Sequence, residues 1–278
     1  MIDILKAILF GVVEGITEWL PVSSTGHMIL LDEFIKLGVS EDFYKLFEVV
    51  IQLGAIFAVV LVYFKTIWPF KKKKDKVVLD KDVLNLWGKI LVACVPAAVL
   101  GILFDDWLDE HLYNAVVVSI ALIVYGIVFI VLENMRKDKK EVKGQTIKDI
   151  TYKQAAKVGC FQVLALIPGT SRSGSTIIGG LLSGLNRSVI TEFTFLVAIP
   201  VMAGASCLKL LKYVLEFGFA FTGLEISILL VACVVAFVVS MFVIRFMINY
   251  IKNHDFKVFG YYRIALGLLV LLYFFIIK

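Results

Sequence analysis

The sequence predicts an all-α polytopic membrane protein made of two inverted repeats, each a re-entrant helical hairpin followed by three transmembrane helices. Three observations predict it: an apolar composition gathered into span-length blocks, two apolar segments each broken by a polar centre, and the same order of elements on either side of a basic loop. The chain has 278 residues, 60% hydrophobic and 18% charged, with a mean hydropathy of +0.92. A soluble chain carries roughly a quarter charged and about half apolar residues. The apolar excess comes in blocks near the ~20 residues that cross a bilayer, a length that a soluble core does not require.

The first element, 1–38, is apolar on both sides of Pro21-Val22-Ser23-Ser24-Thr25-Gly26-His27. Three spans follow at about 43–66, 83–104 and 114–135. A basic loop at 136–153 separates this first repeat, 1–135, from the second, 154–278. The second repeat opens with 154–186, broken at Pro168-Gly169-Thr170-Ser171-Arg172-Ser173-Gly174-Ser175, and continues with spans at 189–211, 224–247 and 258–277. Non-helical backbone within a membrane persists only where protein or a water-filled cavity satisfies it, so both broken segments are expected to enter and leave on one side. Leu91-Val92-Ala93-Cys94-Val95-Pro96-Ala97 recurs as Leu230-Val231-Ala232-Cys233-Val234-Val235-Ala236, and Phe47-Glu48 is answered by Glu192-Phe193.

Charge placement sets the expected topology. Lys71, Lys72, Lys73, Lys74, Lys76 and Lys81 fill the 67–82 loop; Arg136, Lys137, Lys139, Lys140, Lys143, Lys148 and Lys153 crowd the region of the 136–153 loop. Both loops are expected to be cytoplasmic under the positive-inside rule. Three spans per repeat is an odd number, so the second repeat is inverted and the two polar tips meet near the midplane, an arrangement known for sites at repeat interfaces. The acidic run Asp105-Asp106-Trp107-Leu108-Asp109-Glu110 then falls in an external loop, and Trp68 and Trp107 mark interfaces.

Composition also excludes some classes. The net charge of +5 and pI of about 8.9 come from loop lysines, so no nucleic-acid partner is expected. Cys94, Cys160, Cys207 and Cys233 are scattered in apolar stretches and suit neither a disulfide framework nor a metal site. The first apolar run contains Glu14 and Glu18 and lacks an Ala-x-Ala pattern, so it is expected to belong to the fold rather than to a cleaved leader.

The candidate chemistry sits at the two polar tips. Glu14 and Glu18, four residues apart, share one helix face. Intramembrane acids cost ~2.5 kcal/mol or more each, and a shared hard cation, Mg²⁺ or Ca²⁺, would relieve their repulsion. Ser24 and His27, three apart, suit a nucleophile and a proton donor or acceptor. A helix starting near Ser24 would aim free backbone N–H groups at a phosphate. Ser23, Thr25, Ser171 and Ser173 are candidate phosphate-binding groups, with helix capping an equal alternative for Ser23 and Thr25. Arg172 needs an anion at membrane depth, either Glu14 or Glu18 or a phosphate held bidentately. Glu48, Gln52 and Glu192 are candidate cavity-lining groups. Asp105, Asp106, Asp109, Glu110 and His111 form a weaker metal candidate.

Glu14-Gly15-Ile16-Thr17-Glu18-Trp19-Leu20-Pro21-Val22-Ser23-Ser24-Thr25-Gly26-His27 resembles the glutamate-rich motif of bacterial undecaprenyl-diphosphate phosphatases, also called bacitracin-resistance proteins. Pro168-Gly169-Thr170-Ser171-Arg172-Ser173-Gly174-Ser175-Thr176 resembles their second motif, and Phe47-Glu48-Val49-Val50-Ile51-Gln52-Leu53-Gly54 their third helix. The resemblance covers nearly the whole chain. It implies a divalent-metal-dependent hydrolase of the bacterial plasma (inner) membrane that recycles a polyprenyl lipid carrier for cell-wall synthesis, with its active site toward the outer face. It further implies that Glu14 and Glu18 are metal ligands or base, Ser24 the nucleophile, His27 a proton-transfer residue and Arg172 the phosphate binder. The expected partners are a polyprenyl pyrophosphate and membrane lipids, with a homodimer left open. Attack by Ser24 and direct attack by water both fit the residues. A lipid flippase or transporter in the same cavity is the alternative from another class, separated by whether purified protein releases phosphate.

Overall fold

In the computed structural model, residues 1–73, 76–137 and 142–277 are described. Lys74, Lys139 and Lys140 of the expected basic loops, and the side chains of Asp105, Asp106 and Asp109, lie outside the described residues. The chain is almost wholly helical: α1 Ile2–Thr17, α2 Ser24–Phe34, α3 Glu41–Val50, α4 Gln52–Val62, α5 Phe64–Ile67, α6 Lys81–Leu112, α7 Ala115–Met135, α8 Tyr152–Gln162, α9 Arg172–Leu182, α10 Arg187–Phe217, α11 Gly223–Ile251 and α12 Lys257–Leu272. Six helical stretches among the described residues are long and apolar enough to cross a membrane, at Glu41–Val62, Lys81–Phe104, Ala115–Met135, Arg187–Phe217, Gly223–Ile251 and Lys257–Phe275. They correspond to the six expected blocks.

Three details differ from the sequence expectation. The first span is two helices, α3 and α4, that meet at Ile51. The basic loop after it carries a small antiparallel hairpin, β1 Phe70–Lys73 with β2 Lys76–Leu79, where the β-branched Val77 and Val78 favour extended backbone. The acidic run is not a loop, because α6 continues through it to Leu112. Nothing in that run breaks a helix, and Asn114 stops the chain by capping α7 instead, accepting from the Val117 amide at 3.0 Å.

The burial pattern is that of a chain surrounded by lipid. On α11, Leu230, Val234, Val238, Phe242 and Phe246 are exposed, whereas Ile228, Ala232, Ala236, Ser240, Ile244 and Met247 are buried. Large apolar residues face outward, while the small Ala232, Ala236 and Ser240 face inward, where close backbone approach helps hold helices together in a bilayer. Two close approaches follow a pattern. α1 packs along α11, and a Cβ on Gly11 would lie 2.7 Å from the Ala232 carbonyl oxygen. α8 packs along α6, and a Cβ on Gly159 would lie 2.6 Å from the Ala93 oxygen. Ala93 and Ala232 are matched residues of the recurring Leu-Val-Ala-Cys-Val segment. The α7 helix runs against α12.

Buried polar groups lock one end of this bundle. Glu133 of α7 is 1% exposed; it pairs with Arg187 at the start of α10 and accepts from the Phe256 amide ahead of α12 at 3.2 Å. Arg136 donates to the carbonyls of Leu181 in the last turn of α9 and of Leu185 beyond it. So Arg136 of the basic run ties helices together as well as carrying charge. On the nearby loop surface, Lys71 bonds to Asp80 and holds that carboxyl below the usual range.

Substituting alanine at Gly11 or Gly159 forces two backbones apart, and overpacking of this kind costs about 1–3 kcal/mol. Thermal unfolding in detergent should shift down for both variants and stay unchanged for Gly204→Ala, where a Cβ would meet nothing within 4 Å.

Candidate active site

Two helix pairs break in the same way. α1 ends at Thr17, the chain turns through Glu18–Val22, and α2 restarts at Ser24. α8 passes through a short 3-10 turn at Val163–Leu166, breaks at Ile167–Ser171, and α9 restarts at Arg172. The residues preceding the restarts, Ser23 (φ 72°) and Ser171 (φ 75°), are the only non-glycine residues with positive φ among those described. Such backbone costs of order 1 kcal/mol or more and persists when its surroundings fix it. Each serine hydroxyl accepts from its own helix, from the Gly26 amide at 3.3 Å and the Gly174 amide at 3.1 Å. Capping is therefore real at Ser23 and Ser171.

The tips are fastened to one another. Arg263 of α12 is fully buried and donates to Pro21 O at 3.1 Å in one tip, and to Gly169 O at 2.7 Å and Thr170 O at 3.0 Å in the other. Its guanidinium also sits 5.7 Å from the Tyr125 ring centroid, a cation–π contact. Ser173 adds a bond from its hydroxyl to Leu20 O at 3.3 Å. Backbone carbonyls freed by the breaks would be costly if left bare, and a five-donor guanidinium satisfies three at once.

This fastening brings Glu18, Ser24 and Arg172 into one line. Arg172 donates to Glu18 Oε1 at 2.9 Å, and the Ser24 hydroxyl donates to Glu18 Oε2 at 2.6 Å. Arg172 also donates to Thr194 O at 2.8 Å and lies 5.9 Å from the Trp19 ring centroid. Of the two carboxylates considered for Arg172, Glu18 is the one it bonds. A hydroxyl pointing at a carboxylate within about 2.6–3.2 Å is the geometry of a nucleophile and its base.

Ser24, Glu18 and Arg172 open on a cavity of about 170 Å³ whose wall also includes Ser23, Thr25, Ser171 and Ser173. Sites for drug-sized ligands run to roughly 300 Å³ or more, so this one suits a small polar group. A second cavity of about 50 Å³ adjoins it, sharing Thr25, Gln52 and Tyr113, and is lined by Glu14 and Glu48. Glu14 is 1% exposed and its Oε1 has no hydrogen-bond partner. Such an orphaned carboxylate oxygen fits a hard cation. Among the described residues, no cluster of three or more His, Cys, Asp or Glu residues is arranged around a metal position, so neutral oxygens would have to complete the shell. Glu110 and His111 belong to no such cluster either.

His27 stands elsewhere. Its Nδ1 bonds to Ser23 O at 2.7 Å and its Nε2 to the Tyr262 hydroxyl at 2.7 Å, with the two rings parallel. It does not line either cavity. Glu192 is half-buried and lines neither. Three groups were missed from sequence. Arg263 is a lone cation within an apolar block, a signal that was there to be used. Gln162, 1% exposed with no partner for either amide atom, faces the main cavity at the same interval before Ser171 as Glu14 before Ser23. Tyr113 carried no distinguishing signal.

Comparison with known proteins decides the kinship. The family model for bacitracin resistance protein BacA matches residues 7–269. The chain belongs to this family. It is 58% identical over 272 residues to the undecaprenyl-diphosphatase of Enterococcus faecalis, covering 98% of this chain and 97% of that one. It is 53% identical over 278 residues to the undecaprenyl-diphosphatase of Acetivibrio thermocellus, covering the whole of both. Undecaprenyl-diphosphatase 1 of Clostridioides difficile is 56% identical over 277 residues. Family membership and the six apolar helices make this a multi-pass membrane protein.

Removing the guanidinium of Arg263 leaves three buried carbonyls unmet, each worth about 1–3 kcal/mol. Arg263→Met should lower the unfolding temperature in detergent strongly, and Arg263→Lys, with fewer donors in a different geometry, should recover only part of the loss.

Proposed function

We propose that this chain hydrolyses undecaprenyl diphosphate to undecaprenyl phosphate and inorganic phosphate, recycling the lipid carrier used in cell-wall synthesis and so conferring bacitracin resistance. The relatives are named for that activity, and one observation in this chain carries it: the Ser24 hydroxyl donates at 2.6 Å to a carboxylate that also holds Arg172. Arg172 binds the terminal phosphate, exchanging part of its contact with Glu18 for phosphate oxygens. The amide-rich starts of α2 and α9, with Ser23, Thr25, Ser171 and Ser173 beside them, favour the charge that develops on those oxygens. Glu18 takes the proton as the Ser24 oxygen attacks the terminal phosphorus; the P–O bond to undecaprenyl phosphate breaks and that monophosphate leaves, and water then cleaves the phosphoserine to release inorganic phosphate. The small cavity admits the diphosphate and leaves the isoprenoid tail outside among the helices or in lipid.

A divalent cation, Mg²⁺ or Ca²⁺, belongs to this reading, with Glu14 as its first ligand; when bound it neutralises the diphosphate. Glu18 is the second ligand that the family resemblance suggests. His27 acts in this proposal through Ser23, whose carbonyl it binds, holding the strained turn ahead of Ser24. One chain supplies every group named, so the site needs no second copy.

We also infer an inverted repeat in the inner membrane, with each broken pair re-entrant and the site open to the outer face. The exchange of partners supports it: α1 lies on α11 as α8 lies on α6, through Gly11 and Gly159 at matched alanines. Tyr113, on both cavity walls, sits at the α6–α7 turn, the end of those helices remote from the basic loops. That placement supports an outer opening under the positive-inside rule.

Phosphate release from undecaprenyl diphosphate by purified protein tests the chemistry. Ser24→Ala, Glu18→Gln and Arg172→Met should each lose about 10²-fold or more in kcat. Turnover near that of the wild type in Ser24→Ala would move the attack from serine to water; retained turnover in all three would end the proposal.

A further inference from the structure

The cation position can be assigned more closely than the motif suggests. Glu18 has both oxygens occupied, Oε1 by Arg172 and Oε2 by Ser24. Glu14, one turn earlier on the same helix, has Oε1 buried without a partner and lines the smaller cavity rather than the larger. Glu48 of α3 lines that same space, with Gln52 and Thr25 supplying an amide oxygen and a hydroxyl. Tyr44 shares a side-chain hydrogen bond with Glu48. Among the described residues, no lysine, arginine or histidine lines this cavity. The charged groups that act on Glu14 are Glu18 and Glu48, both acidic, and Arg172, which is already bonded to Glu18. Two carboxylates walling about 50 Å³ of buried space repel one another unless a cation or a proton lies between them. The volume exceeds what one water-sized sphere needs.

We propose that the divalent cation is held between Glu14 and Glu48, with Gln52 and Thr25 as neutral oxygen donors, and that Glu18 is not a ligand. All-oxygen donors with two carboxylates match the preference of Mg²⁺, Ca²⁺ and Mn²⁺. Thr25, Gln52 and Tyr113 line both cavities, so the cation adjoins the space that receives the diphosphate. Glu18 is thereby left free of the metal to serve Ser24. The assignment separates two roles within one motif: Glu14 with Glu48 holds the ion, and Glu18 with Arg172 and Ser24 does the proton chemistry. It rests on the metal-dependent reading given above.

Mn²⁺ binding to the purified full chain, followed by the loss of the free-ion electron paramagnetic resonance signal without lipid substrate, tests it directly. One Mn²⁺ per chain, displaced by Mg²⁺ or Ca²⁺, is expected for the wild type. Glu14→Gln and Glu48→Gln should each weaken binding about tenfold or more, and Gln52→Leu, which removes only a neutral donor, less so. Glu18→Gln should stay within about threefold of the wild type, a margin set well below that ligand loss. Unchanged affinity in Glu48→Gln overturns the inference, as does loss in Glu18→Gln equal to that in Glu14→Gln. Absence of Mn²⁺ binding to the wild type also overturns it, and points to a shared proton instead. Phosphate release in the same variants separates the two readings. Lost binding with undiminished hydrolysis in Glu48→Gln would keep the site and remove the metal from the reaction.

Discussion

The ion pair between Glu18 and Arg172 is the interaction on which the site depends. It joins the turn after α1 to the first residue of α9, and both side chains are largely withdrawn from solvent, 6% and 12% exposed. A buried pair of this kind gains little net stability over an apolar contact, yet breaking it by losing one partner is expensive. Its value here is geometric. It fixes the carboxylate whose second oxygen accepts from the Ser24 hydroxyl, and it holds a guanidinium at the wall of the larger cavity.

Everything around the pair answers the problem of broken backbone in an apolar setting. Two serines in the left-handed region start α2 and α9 and cap them with their own hydroxyls. The carbonyls released in both turns are taken up by Arg263, and Ser173 stitches one turn to the other. Glycines set the helices close enough for these short bonds to reach. Strain, caps and the buried arginine therefore belong to one structure, and a cavity too small for a lipid tail is its product.

Most of this architecture was legible in the chain because a bilayer imposes such narrow rules. The length of the apolar blocks identified all six helices that are long and apolar enough to cross a membrane, and Pro21 and Pro168 with their polar followers located both breaks. Glu18, Ser24 and Arg172, which the structure bonds together, stood out because acids, hydroxyls and guanidinium are costly among apolar residues. What stayed hidden depended on rotation and register. Whether His27 would face Ser24 or Tyr262 is decided by how α2 packs on α12, which a spacing of three residues does not fix. Glu14 and Glu18 share a helix face, yet the turn beginning at Glu18 sends them to different cavities. The β1–β2 hairpin and the extension of α6 through the acidic run were missed because charge was taken to mean loop. Arg263 should have been found by the same reasoning that found Arg172.

A double-mutant cycle on Glu18 and Arg172, read as unfolding free energy in detergent, tests the central claim most directly. Glu18→Gln and Arg172→Met should each destabilise the protein, and the double variant should be more stable than their sum implies, by a coupling of about 1–3 kcal/mol. Strict additivity would mean that the two tips do not meet through this pair, and the account of the site would fail with it.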